Sequence, residues 1–185
     1  MLFQKDQLLV RGVEVTDAKL LSKWLSNERV LFFFGGRDQP HDEEMIRHKY
    51  LAKREGSTYR CIAEWKGKPV GFLQFYKLDE NRLRLFGYPL EVPVWGMDQF
   101  IGEPDCWNQG IGTQLVRMGT DFLVEEKAAE IVIMDPQVRN TRAIRCYEKC
   151  GFRKVRMLPR HELHEGVWQS CWLMEYDSEY PEYSR

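Results

Sequence analysis

The chain lacks a long apolar run: nowhere does it approach the ~20 consecutive apolar residues that span a bilayer. Its opening, MLFQKDQLLVRG, lacks a secretory h-region and a small-residue cleavage site. No membrane partner is expected, and a cytoplasmic location is the expectation that follows. An excess of one charge is also missing. With 27 Lys and Arg against 28 Asp and Glu, the formal net charge is -1. There is no basic field of the kind that draws a protein to nucleic acid, so no nucleic-acid partner is expected. Cysteine is sparse and unpatterned: the five, at 61, 106, 146, 150 and 171, match no zinc or redox spacing. Cys146 and Cys150 stand one helical turn apart without further ligands. Buried, reduced thiols are expected, and no metal. Also absent are the six-residue glycine spacing of dinucleotide folds, the Gly-Lys-Ser/Thr of a P-loop, internal repeats and low-complexity segments.

What is there is 185 residues, 43% hydrophobic and 30% charged, which suits one domain with a real core. We read 1–185 as that single domain, its polar end DSEYPEYSR (177–185) as a flexible tail. Residues 8–13 form a first strand. Thr16 or Asp17 caps a helix over 18–25 with Leu20, Leu21, Trp24 and Leu25 on one face. Residues 27–34 read as a short helix stopped by Gly35-Gly36, with Phe32–Phe34 either a core plug or a cleft wall. A charged helix follows over 42–54. Residues 58–65 and 69–76 are strands around Lys66-Gly67-Lys68, a hairpin signal. Residues 79–91 read as an irregular excursion. After the strand 94–101 come a helix over 110–126, a buried strand 131–134 and a helix over 141–149 capped by Asn140 and stopped by Gly151. Strands 152–158 and 168–176 close the chain around a polar loop, 159–166. The order gives an α/β chain with a mixed sheet and helices on its faces.

Two constellations carry chemistry. The first is VWGMDQFIGEPDCWNQGIGT, 94–113. An apolar strand, a turn with Pro104, and Gly110-x-Gly112-Thr113 opening an amphipathic helix are the parts that hold a phosphate on backbone N–H groups. The same parts also make a bare strand-to-helix turn. Inside the strand stands Asp98, a carboxylate among apolar neighbours, which is costly to bury unpaired. It is either a general base or amine anchor, or a structural acid paired with an arginine. Strand alternation puts Asp98 with Phe100 on one face and Met97 with Gln99 on the other. The second constellation is Asn140-x-x-Ala143-x-x-x-Tyr147-x-x-x-Gly151-Phe152. Asn140, Ala143 and Tyr147 share one helical face; they serve a ligand or simply face the core. Asp135, at a strand C-end, could take an ammonium group or could form an Asp-Pro turn. His161 and His164 in HELHEG are not an H-E-x-x-H zinc motif and read as a solvated loop, although Glu162 and Glu165 could line a cationic-substrate cleft.

Taken together, these two constellations resemble the GCN5-related N-acetyltransferases (GNAT). That family has an Arg/Gln-x-x-Gly-x-Gly/Ala turn after its central strand, then an Asn…Ala…Tyr…Gly-Phe helix. One position departs: three before Gly110 stands Trp107, not Arg or Gln. The stretches GMDQFIGEPDCWNQGIGTQLV and MDPQVRNTRAIRCYEKCGF narrow the likeness to the aminoglycoside 6′-N-acetyltransferases, where a Trp at that position is usual. LSKWLSNERVLFFFGGRD, HELHEG and LMEYD extend it toward the acetyltransferase half of the bifunctional acetyltransferase–phosphotransferases, from about Trp24 to Tyr176.

The resemblance implies an α+β GNAT fold: a central mixed, mostly antiparallel sheet with a splayed strand pair and helices on both faces. It implies acetyl-CoA as co-substrate, its pantetheine arm along Gln99, Phe100 and Ile101. The diphosphate would lie on the N–H groups of Gln109, Gly110, Ile111, Gly112 and Thr113, with Asn140, Ala143 and Tyr147 completing the cofactor site. It implies Asp98 as base or anchor, Tyr147 as the acid for the departing thiolate, and Asp98 with Asp135 as binders of a small polyamine or aminoglycoside. A monomer or a homodimer is expected.

Overall fold

The computed structural model describes residues 1–52 and 58–177. Among them eight strands form one sheet in the order β1-β2-β3-β4-β5-β6-β8-β7. β1 (Phe3–Lys5) is a strand that the sequence reading missed; it pairs antiparallel with β2 (Leu8–Gly12), the expected first strand. β3 (Thr58–Trp65) and β4 (Lys68–Lys77) form the expected hairpin. β5 (Val94–Ile101) pairs antiparallel with β4 and parallel with β6 (Ile131–Met134), the one parallel ladder in the sheet. β8 (Val167–Asp177) returns beside β6 and carries β7 (Arg153–His164) on its outer edge.

Helices cover both faces. α5 (Ile111–Lys127) buries Leu115, Val116 and Leu123, and α6 (Thr141–Glu148) buries Ile144 and Tyr147. They pack on one face against Leu73, Phe75 and Met97. On the opposite face α1 (Ala18–Trp24), α2 (Glu28–Leu31) and α3 (Glu43–Ile46) enclose Ile62, Phe72 and Phe100. Phe100 therefore faces one layer and Met97 the other, as strand alternation requires. No helix among the described residues is long and apolar enough to cross a membrane.

Several expectations need correction. The excursion over 79–91 contains a helix, α4 (Glu80–Phe86). Asp79 accepts the N–H of Arg82 at its start, and Gly87, at φ 78°, ends it. An acidic N-cap and a left-handed glycine are strong terminators, and aromatic, irregular composition masked them. The polar loop 159–166 is mostly strand: β7 continues to His164, and the turn is only Glu165-Gly166, both at positive φ. The register shifts between Leu158 and Glu162, so Pro159 sits in an irregularity of an edge strand, where its missing N–H does no harm. The helix expected over 27–34 is only one turn, and that over 42–54 is α3 followed by a wider π turn at Arg47–Leu51. Arg54 lies outside the described residues, as does the tail from 178. Asp17 stands at the α1 N-cap without a side-chain cap bond. Its carboxylate instead takes the Glu14 N–H and the Arg11 guanidinium.

Candidate active site

The site starts from a gap in the sheet. Only Val94, Trp95 and Gly96 of β5 ladder with β6; from Met97 to Ile101 the strand pairs with β4 alone. A cavity of about 610 Å³ is lined by the far half of β5, the start of α5, α6 with its N-cap, and residues of α2 and the turn after it. Asn140, Ala143 and Tyr147 all reach its wall, as their helical spacing predicted, and so do Gln99, Phe100 and Ile101. From the glycine turn Gly110, Gly112 and Thr113 line it. Gln109 and Ile111 do not: the Gln109 amide donates to the Asp105 carbonyl, and Ile111 is a core side chain. Asn140 also caps α6, accepting the Ala143 N–H at 3.2 Å.

The local chain explains the cavity's chemistry. Gly110 caps α5 at φ 81°, a conformation that other residues adopt at a cost, and offers no side-chain cap. The first-turn N–H groups of a 17-residue helix are thus left with no side-chain acceptor. Arg142, Arg145 and Lys149 line the cavity from α6, and Arg29 lines it from α2. None of these four has a carboxylate partner within ion-pair distance among the described residues. On the apolar side Gln99 Oε1 is buried without a hydrogen-bond partner, a cost unless a ligand donor meets it. An anionic group joined to an amide-bearing arm answers both features, and acetyl-CoA has that composition.

Tyr147 is nearly buried, and burial pushes its hydroxyl far above the usual phenol range; the neighbouring Gln99 side chain pulls the other way. It is a proton holder at every ordinary pH. Cys106 and Cys146 line the cavity, whereas Cys61, Cys150 and Cys171 are buried. The uniform burial expected of the thiols therefore fails for two of the five. A hydrogen bond with Cys150, and further help from Thr113, Lys149 and Arg117, hold the Cys146 thiol below its ordinary value.

The two predicted carboxylates are not in the cavity wall. Asp98 shares its face of β5 with Phe100, which does line the cavity, and the arginine partner that a structural acid would have is not there. Instead Gln74 donates to it at 2.6 Å and the Tyr76 hydroxyl at 3.3 Å. Both are on β4, where Gln74 stands directly opposite Asp98. Gly96 makes room for Tyr76, since a Cβ there would overlap its ring. Arg82 of α4 stacks on that ring at 4.8 Å. Burial, and then the nearby charge of Asp135, raise Asp98 from 3.8 to about 6, against the opposing pull of Gln74, Tyr76 and Arg82. A carboxyl that titrates near 6 can take a proton at neutral pH.

Asp135 follows β6, and its carboxylate is 2.9 Å from His161 Nε2. This corrects the solvated-loop reading of the two histidines. His161 bonds Asp135 and packs on the ring of Phe86, and the hydrogen bond raises its affinity for a proton. His164 is buried; neither ring nitrogen makes a hydrogen bond, but a carboxylate oxygen of Glu162 stands 3.5 Å from Nδ1 and one of Glu165 3.8 Å from Nε2. Glu165 is occupied by a fork from Arg37, and Glu162 by the amide of Gln137. Among the described residues no group of three or more His, Cys, Asp or Glu is placed to hold a metal ion. Phe33 and Phe34 line the cavity and Phe34 also packs at a tilt against Phe100, so the Phe32–Phe34 run is both wall and core.

Sequence reasoning missed Gln74, Tyr76, Arg82, His161, Arg29 and Arg142. Gln74 and Tyr76 alternate on a strand that was recognised; finding them needed only the β4–β5 register. The others are brought in by tertiary packing, and nothing local marks them.

A mostly antiparallel sheet with one splayed parallel pair, a glycine turn opening a helix at the gap, and a capped second helix beside it define an acyl-transferase type of fold. The sequence matches the acetyltransferase (GNAT) domain over residues 14–159, and the chain belongs to that family, whose members use acetyl-CoA. It is 28% identical over 151 residues to the aminoglycoside N(6′)-acetyltransferase type 1 of Klebsiella pneumoniae, covering 80% of this chain and 75% of that one. Its fold is similar to that of aminoglycoside acetyltransferase AAC(6′)-Ib in complex with coenzyme A and kanamycin: TM-score 0.73, 23% identity, 95% of this chain and 97% of the other covered. It is similar also to spermidine N-acetyltransferase from Vibrio cholerae in complex with CoA and spermine: TM-score 0.75, 16% identity, 95% and 98% covered.

Proposed function

We propose that the chain transfers acetyl from acetyl-CoA to the 6′-amine of an aminoglycoside, by direct attack of the amine in a ternary complex. The observation that carries this reading is Asp98, a carboxyl raised to about 6 on the strand face it shares with the cavity-lining Phe100. It stands beside a second carboxylate, Asp135, whose charge it feels. A polycationic acceptor is bound by such a pair, and one of its amines must lose a proton before it attacks. The 28% relative is an aminoglycoside N(6′)-acetyltransferase, and the likeness of HELHEG and LMEYD to the acetyltransferase half of the bifunctional enzymes points the same way.

When bound, acetyl-CoA supplies the acetyl group as a thioester. The N–H groups from Gln109 to Thr113 hold its diphosphate, and Gln99 to Ile101 with Asn140 and Ala143 hold the pantetheine arm. Main-chain N–H groups of β5 left unpaired by the splay are donors for the developing oxyanion. Asp98 takes the proton of the attacking amine, directly or through water. Asp135 anchors a second ammonium. The Tyr147 hydroxyl gives its proton to the departing sulfur.

The test is thiol release from acetyl-CoA with kanamycin and with a 6′-hydroxyl analogue. Turnover of the first and none of the second is expected. Turnover of another small amine, a polyamine or a peptide N-terminus, with no aminoglycoside accepted, removes the acceptor assignment and keeps the family chemistry.

A further inference from the structure

Where the acetyltransferase turn has an Arg or Gln, this chain has Trp107, and two arginines have gathered on it. The Trp107 indole is fixed, donating from Nε1 to the Ile101 carbonyl at 2.8 Å. The Arg142 guanidinium lies 4.0 Å from the ring centroid and that of Arg29 4.9 Å. Arg142 comes from the first turn of α6 and Arg29 from α2, 113 positions away by their residue numbers. Both, with Trp107 itself, line the cavity.

Such an arrangement is electrostatically incomplete. Like charges so close repel: burial first, and then the Arg29 charge, lower Arg142's hold on its proton. Neither guanidinium accepts relief from a carboxylate, and no hydrogen bond from either side chain to protein is present among the described residues. Stacking on indole favours each cation singly but leaves their mutual repulsion in place. A guanidinium's donors lie in its own plane, so stacking on Trp107 leaves them free at the ring's rim. A phosphate group that meets both would turn the repulsion into two charge-assisted contacts.

We propose that Arg29, Trp107 and Arg142 form a phosphate clamp for the donor: the indole is the platform, and the two guanidiniums replace in space the single basic or amide side chain that the turn lacks. This rests on the reading of the cavity as the acetyl-CoA site. It adds that α2, an element of the opposite layer, contributes directly to donor binding. Trp107 and Arg142 are then donor-specificity residues rather than lining.

The test is calorimetric titration of CoA and of 3′-dephospho-CoA into the wild type and into Arg29→Met, Arg142→Met and Arg142→Lys, at 50 and 300 mM salt. Methionine keeps much of the stack and removes the charge. Each methionine variant is expected to bind CoA at least tenfold more weakly at low salt, with a shallower salt dependence than the wild type. The lysine variant is expected to keep part of the affinity and the full salt slope. If the weakening disappears with 3′-dephospho-CoA, the clamp takes the 3′-phosphate; if it persists, the clamp takes the diphosphate. CoA affinities within twofold of wild type overturn the clamp. So does weakening with an unchanged salt slope, because packing and not charge is then what was lost. A wild type that binds no CoA would instead remove the acetyl-CoA reading, an outcome distinct from both.

Discussion

Replacing Asp98 by asparagine should make the protein more stable and nearly inactive, and the size of the first effect follows from the site. In the folded state the carboxyl is raised from 3.8 to about 6. At about 1.4 kcal/mol for each tenfold in proton affinity, the ionised form costs the folded protein roughly 3 kcal/mol. The sign follows from proton counting. The folded state holds the proton more tightly, so stability falls as pH rises from about 4 to about 6, and the whole cost is present above 6. Asp98→Asn removes the charge and keeps the shape. It weakens the bonds from Gln74 and Tyr76, which returns about 1–2 kcal/mol. The net gain is therefore about 1–2 kcal/mol at pH 8, or roughly 2–8 °C in Tm for a chain of this length. Thermal melts of both proteins from pH 4 to 8.5 read it directly. The gain should be full above pH 6 and turn into a deficit of about 1–2 kcal/mol toward pH 4, where the wild-type carboxyl is neutral and only the weakened bonds distinguish the two, while kcat/KM for the acceptor falls by about 10²–10⁴. A variant less stable at pH 8, or a gain that ignores pH, would show that Asp98 is a well-satisfied structural acid. Asp98 would then hold its charge at no cost and could not be the base.

Other outcomes follow from the same geometry. Tyr147→Phe keeps the buried ring and should lower kcat by about 10²-fold with CoA affinity near wild type by titration; an unchanged kcat removes the acid. Gly96→Ala drives a Cβ into the Tyr76 ring, with an expected loss of about 1–3 kcal/mol in urea unfolding and a weakened Asp98 site; wild-type stability would mean that Tyr76 has room to move. His161→Gln should lose a stabilisation that the wild type has in full below about pH 6.5, since the Asp135 bond raises the folded-state value. That stabilisation fades as pH rises through the raised value, so the two melting curves should differ at pH 5.5 by up to ~1 kcal/mol and converge by pH 8.5. A difference that grows with pH contradicts the pairing.

The pattern of what could be read from the sequence has a physical cause. Local signals were enough for β5, the Gly110 turn, α5 and α6, because strand alternation, glycine and an asparagine cap act within a few residues. They were enough for the shared face of Asn140, Ala143 and Tyr147, since helical spacing is itself a geometry. β1 was too short to alternate visibly. α4 was hidden because Asp79 and Gly87 terminate a helix that bears only two large apolar residues on its packed side, Leu83 and Phe86. What no local signal carries is register and crossing. Gln74 opposite Asp98, His161 against Asp135 and Arg29 over Trp107 are each separated by more than twenty residues, and only the sheet order and the packing of α2 join them.

The splay between β5 and β6 has a consequence for the protein's solution behaviour as well as for its chemistry. A sheet ordinarily has two rims, and here β7 protects one of them with Arg153, Lys154, Arg156 and Pro159. The gap creates a third rim inside the molecule, a row of strand backbone past Gly96 with nothing laddered to its far side. An open rim of that kind invites a foreign strand. This one is roofed by α6 and ends where Trp107 occupies the Ile101 carbonyl, so a whole polypeptide segment is kept out. On the proposed reading, the opening that would admit the donor is the one guarded against self-association, and loss of Trp107 is expected to favour aggregation as well as to weaken donor binding.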